Sequence, residues 1–169
     1  MTAFARYWLK WPSIEHVMSK DWAWPTAETF HFVGLCLLFG IVGLYDLRML
    51  GFGKGLPLSA LKRLLPWGVF GFVLCLVTGL GFTLGIGANL YGDNAYDVIR
   101  RDVYLQLKLL FMAIAGLNLL AFYLTGTDKV VDRLGAYDEA PPLAKTIAGI
   151  SLVSWTAVIV FGRLIPVGL

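Results

Sequence analysis

Charge is scarce in this chain. Of 169 residues, 14 are Lys or Arg and 11 are Asp or Glu, together 15%, against about 25% in an average soluble domain. The surplus of +3 is too small for the basic footprint of a nucleic-acid binder, so no nucleic acid is expected as a partner. Histidine occurs twice, at His16 and His31. Cysteine also occurs twice, and Cys36 and Cys75 both sit inside apolar runs. That placement gives no disulfide framework and suits a small packing hydrophobe. The sequence has no G-x-x-x-x-G-K-[ST], H-E-x-x-H, G-x-S-x-G or C-x-x-C, which removes the phosphate-loop, zinc-protease, hydrolase-elbow and dithiol readings. So few nucleophile–base pairs remain that no catalysis is expected. Residues 1–26 lack the apolar core of a cleavable leader, so the first apolar run is expected to be retained.

Apolar residues are what the chain has in excess: 58% of it, with a mean hydropathy of +0.72. They gather in four runs, about 28–50, 66–90, 103–125 and 143–167, each near the ~20 residues a helix needs to cross the hydrocarbon core. The runs are continuous, not alternating as barrel strands would be. A lipid environment also requires each span to satisfy its own backbone hydrogen bonds. The expectation is an all-α integral membrane four-helix bundle over residues 27–169, preceded by an N-terminal arm over 1–26. Pro25, Pro66 and the Pro141 and Pro142 pair precede or open spans, where a missing N–H costs little. Asp93 and Asn94 offer an early cap to the third helix. Residues 58–65 and 128–134 read as short amphipathic turns, the second stopped at Gly135, with Lys62 and Arg63 available to lipid headgroups.

The arm carries Trp8, Trp11, Trp22 and Trp24, four of the six tryptophans, interleaved with Arg6, Lys10 and Lys20. Indole prefers the membrane–water boundary, so the arm is expected to lie there as an interfacial amphipathic helix or to dock a partner. Basic residues of the first and third connections (Arg48, Lys54, Lys62, Arg63, Lys129, Arg133, Lys145) outnumber those on the side of the termini. This places both termini in the periplasm. Small residues recur inside the spans. Gly68, Gly71, Cys75, Thr78 and Gly79 lie near one face of the second, and Gly81 and Gly85 form a G-x-x-x-G. Such seams let helices approach closely, within a compact up-down-up-down bundle or against a partner helix.

Ionisable groups inside spans are functional candidates by default. Glu28 and His31 share a face one turn apart. By depth, Lys108 and Arg163 belong to the same layer, and these four are the candidate cofactor-binding residues. Asp46, Arg48, Asn118 and Tyr123 lie toward the other membrane face, with Asp46 and Arg48 as boundary markers and Asn118 as an interhelical hydrogen-bonder. His31 is the only histidine within a span, which makes it the candidate metal ligand, for haem b iron. The second axial ligand would be His16 folded back, another subunit's His31, or Met112, some ~6 Å deeper. A copper site would use His31 with Cys36, Met18 or Met49, although Cys36 falls on a different helical face. A lipid or quinone headgroup could meet His31 with Lys108 or Arg163, and a structural hydrogen bond is the plainest role.

Several short motifs run in a telling order. Residues 22–35 read W-x-W-P-x-x-E-T-x-H-F-x-G-L, and the first span ends D-L-R-M-L-G from Asp46 to Gly51. Then come L-P-W at 65–67, T-G at Thr78 and Gly79, L-K-L-L around Lys108, G-L-N-L-L-A-F-Y ending at Tyr123, and G-R at Gly162 and Arg163. The order resembles a family of uncharacterised four-helix bacterial inner-membrane proteins, itself loosely similar to the copper-resistance D type. The resemblance implies a multi-pass protein of the bacterial inner membrane. That family often has His where this chain has Tyr123, which would remove one ligand. The functional expectation is a small non-catalytic accessory or anchoring subunit of a larger redox or energy-converting membrane complex, in contact with lipids and other subunits. The alternatives are a b-type haem electron carrier using His31 and a small transporter or copper-handling protein.

Overall fold

A computed structural model describes residues 9, 11–85 and 95–168. Trp8, Arg6, Lys10, the Asp93 and Asn94 cap and the expected end of the second span at 90 lie outside the described residues. Among the described residues there is no strand, and the all-α expectation holds. The helices are α1 (Pro12–Met18), α2 (Ala23–Leu50), α3 (Leu58–Lys62), α4 (Leu65–Leu84), α5 (Ala95–Arg101), α6 (Val103–Leu124), α7 (Thr127–Val131) and α8 (Pro142–Gly168). Four stretches are long and apolar enough to cross a membrane: α2, α3 with α4, α6 and α8. Their outward faces are apolar, with Leu117 67% and Leu124 84% exposed. That is the surface of a protein whose solvent is lipid, and the chain is a multi-pass membrane protein.

Local chemistry sets the helix ends. α2 begins at Ala23, earlier than expected, and takes Pro25 into its first turn, where proline is tolerated. It stops at Gly51, whose φ of +105° is the left-handed conformation that glycine reaches without a Cβ clash. The Phe52 N–H then donates back to the Leu47 carbonyl at 3.0 Å, a helix-closing bond. The cap of α6 is Asp102. Its Oδ1 accepts from the Tyr104 and Leu105 N–H groups at 2.7 and 3.0 Å, and this separates α5 from α6.

The four spans form two antiparallel hairpins, α2 with α4 and α6 with α8, joined where α2 meets α8. α4 and α6 make almost no direct contact. The compact bundle expected from the glycines is therefore open along one edge. The reason lies in how α4 spends its small residues. Gly68 and Gly71 face α2, and Gly81 and Gly85 face Met18 of α1. Bulky Phe72, Leu76 and Leu80 remain on the side toward α6.

The largest buried apolar cluster sits at the end of the bundle that carries α3 and α7. Tyr45, Met49, Leu58, Leu61, Phe122, Val131 and Ile147 meet there. Arg48, 1% exposed, ties the same region together. Its Nε donates to the Leu56 carbonyl at 2.8 Å. Its Nη2 donates to the carbonyls of Ala136, Asp138 (3.3 Å) and Gly135 (3.5 Å). Arg48 is thus a clamp on two connections. Lys62, expected at the headgroups, is bridged to Asp132 instead.

Glu139 lies between Lys54 (2.8 Å) and Lys145 (3.1 Å). Their hydrogen bonds and positive charge hold its carboxyl down to about 2. A lowered folded-state value means that the tie is complete above the ordinary carboxylate value and is lost as pH falls through about 2. A carbon-13 titration of Glu139 should have its midpoint there. It should rise toward the unperturbed ~4.3 in the double variant Lys54→Ala, Lys145→Ala. The site is fully exposed, so salt should move it the same way. An identical midpoint in wild type and double variant would show that the two lysines do not act on it.

Candidate functional site

The open edge between α4 and α6 leads into a cleft floored by α2 and α8. Its upper part is a cavity of about 110 Å³ lined by His31, Cys75, Gly79, Lys108, Met112 and Trp155 among others. The Thr78 hydroxyl donates to the Leu74 carbonyl at 2.7 Å, so its oxygen is left to accept from His31 Nδ1, also at 2.7 Å. In a neutral imidazole with Nδ1–H, the lone pair is on Nε2. The Cys75 thiol donates to the His31 carbonyl at 3.4 Å. Phe82 closes the other side, edge-on to His31 with centroids 5.6 Å apart and tilted against Trp24 at 4.9 Å. The Lys108 chain lies beside Gly162 of α8, and no acidic group pairs with it among the described residues.

The predicted four-residue layer is thus half assembled. His31 and Lys108 line one cavity, while Glu28 and Arg163 are exposed and do not line it. Thr78 and Cys75 complete the His31 environment. Both were already on the small-residue face of α4, but nothing in the spacing said that α2 would lie against that face. His16 is exposed on α1 and does not fold back toward His31. The copper set does not converge. Cys36 is exposed, Met18 packs at Gly81 and Gly85, and Met49 belongs to the apolar cluster at the other end. Among the described residues no three His, Cys, Asp or Glu gather as metal ligands. Gly81 and Gly85, expected at a helix interface, receive α1 of the same chain through Met18. Of the arm's tryptophans, Trp22 is 63% and Trp11 52% exposed. Trp24 is half-buried within α2.

The lower part of the cleft is larger, about 320 Å³, and shares Leu38, Phe72, Met112 and Trp155 with the upper part. Asp46 forms part of its wall. This residue is 3% exposed, lies in the same chamber wall as Ser151 and leaves Oδ2 without a partner. Asp46 is therefore a buried acid, not a group exposed at the end of its span. Asn118 does bond between helices, its Nδ2 donating to the Ile147 carbonyl at 2.9 Å. No protein-family model, curated protein or solved structure matches the chain.

Proposed function

We propose that the protein is a small, non-catalytic accessory subunit of a larger bacterial inner-membrane assembly, redox or energy-converting in character. In this role the cleft between α4 and α6 is the face it turns to that assembly, with both termini in the periplasm. The supporting observation is the cleft's sideways opening onto polar groups. Apolar exposure alone is ordinary in lipid. An amine such as Lys108 and a histidine such as His31 beside an unsealed edge are not, because lipid solvates them poorly. A component that covers the edge removes that cost. Photo-crosslinking residues at Leu80 and Leu109, on the two cleft walls, should give a discrete protein adduct in native membranes. The same group at Val153, exposed on α8, should not. Lipid adducts alone from all three positions would overturn the proposal.

A haem held by His31 has one point in its favour, that His31 and Met112 line the same cavity. The fit is poor. The space beside His31 is about 110 Å³, smaller than the 150 Å³ cavity that holds one benzene. The residues as arranged do not fit a macrocycle, and an absorption spectrum of the purified chain decides the matter directly.

A further inference from the structure

The lower chamber joins three features that the accessory-subunit role does not use. One is an orphaned buried carboxylate oxygen, Asp46 Oδ2. Another is a wall of aromatic rings, Tyr45, Phe72, Phe122, Tyr123 and Trp155. The third is a volume of about 320 Å³, within the range of small-molecule pockets. We propose that this chamber binds a hydrophobic ammonium cation, with an N–H of the ligand donating to the Asp46 carboxylate and the aromatic rings surrounding its charge.

Each alternative occupant meets an obstacle on the page. A buried carboxylate needs a counter-charge or donor, and no basic group lines this chamber: Arg63, Lys129 and Arg133 at this end are exposed. Lys62 is bridged to Asp132, and Arg48 is spent on four loop carbonyls. An anion would face Asp46 directly. A bare metal ion would want several oxygen ligands, but the lining is chiefly apolar. A single water would leave most of the about 320 Å³ chamber empty. A carboxylate among aromatic faces matches an organic ammonium ion on both counts: charge pairing, and the negative face of each ring. The opening between α4 and α6 gives such a molecule a path from the bilayer. The inference does not depend on the accessory role, since it concerns a ligand that the isolated chain would hold.

The test uses the full chain in phosphatidylcholine nanodiscs at pH 7. The probe is proflavine, a planar fluorescent cation with N–H donors, and 2-aminoanthracene serves as its uncharged counterpart. Proflavine should bind saturably and at least about tenfold more tightly than 2-aminoanthracene, the margin of a desolvated charge pair. Asp46→Asn should remove that margin. Gly116→Leu should weaken both probes, because Gly116 lines the chamber and a Cβ there meets open space. A second readout needs no variant. Dicyclohexylcarbodiimide should label Asp46 in the native chain, and proflavine should slow that labelling at least about tenfold while 2-aminoanthracene does not. The proposal is overturned if proflavine shows no saturable binding, if folded Asp46→Asn binds it as well as wild type, or if proflavine leaves the labelling rate unchanged.

Discussion

Arg48→Ala should destabilise the protein more than any other single truncation, by about 3–5 kcal/mol, the range for stripping the partner from a buried charge network. The guanidinium is 1% exposed and donates to carbonyls at Leu56, Gly135, Ala136 and Asp138. These acceptors belong to two connections far apart in sequence, so one side chain holds the α2–α3 turn against the segment between α7 and α8. Hydrogen bonds from a charged donor contribute about 1.5–3 kcal/mol each, and they act here as one non-additive unit. Without the fork, the carbonyls lose their donors while Leu58 and Val131 still bury the region. Arg48→Lys keeps the charge but not the planar set of donors, so it should recover only part of the loss. Thermal unfolding in detergent should fall by roughly 10 °C in the Ala variant, at about 2–4 °C per kcal/mol for a chain of this size. Amide exchange should accelerate in residues 52–57 and 132–140. An Arg48→Met variant that melts within a degree or two of wild type would show that the side chain only fills space.

Gly71→Ala is expected to cost about 1–3 kcal/mol, the range for overpacking a tight contact, although alanine is the better helix former. A Cβ at Gly71 would lie 2.6 Å from the Gly34 carbonyl oxygen and 2.8 Å from both Leu37 Cβ and Leu38 N. The reciprocal Cβ at Gly34 would meet the Gly71 oxygen at 2.8 Å and Cys75 Sγ at 2.7 Å. Most of these neighbours are backbone or Cβ atoms and have no rotamer to move into. The helices must separate, and the separation would reach the His31–Thr78 and Cys75–His31 hydrogen bonds within two turns. Gly40→Ala is the matched control, since a Cβ there meets nothing within 4 Å, and it should be neutral or slightly stabilising. Melting temperature and the alkylation rate of Cys75 measure the two consequences. If Gly71→Ala and Gly40→Ala behave alike, the α2–α4 crossing is not set by glycine contact.

The candidate site was only partly legible beforehand. His31 and Lys108 stand out in any sequence because ionisable groups in apolar runs are conspicuous. Depth along a helix can be counted, which is why both were assigned to one level. Rotation about the helix axis cannot be read the same way when a span is apolar on every side. Glu28 and Arg163, counted to the same level, are exposed and line no part of the cavity. Asp46 shows the converse. Its place near the end of a run suggested a boundary, but α3, α7 and their connections extend the core past it and bury it.

The sequence by itself determined the four spans, their helical nature and most of their ends. Each of these follows from a local or nearly local cause: apolar run length, the backbone hydrogen bonds that lipid cannot supply, a proline at an entry, a glycine at Gly51. Only the tertiary structure decided which spans touch. The same small residues on α4 could have met α2, α6 or another chain, and no local rule ranks those partners. Their commitment to α2 and Met18 leaves bulky side chains facing α6 and so opens the cleft. It is this packing that places His31 with Thr78, spends Arg48 on two connections, and leaves Asp46 with one oxygen unsatisfied in an aromatic chamber.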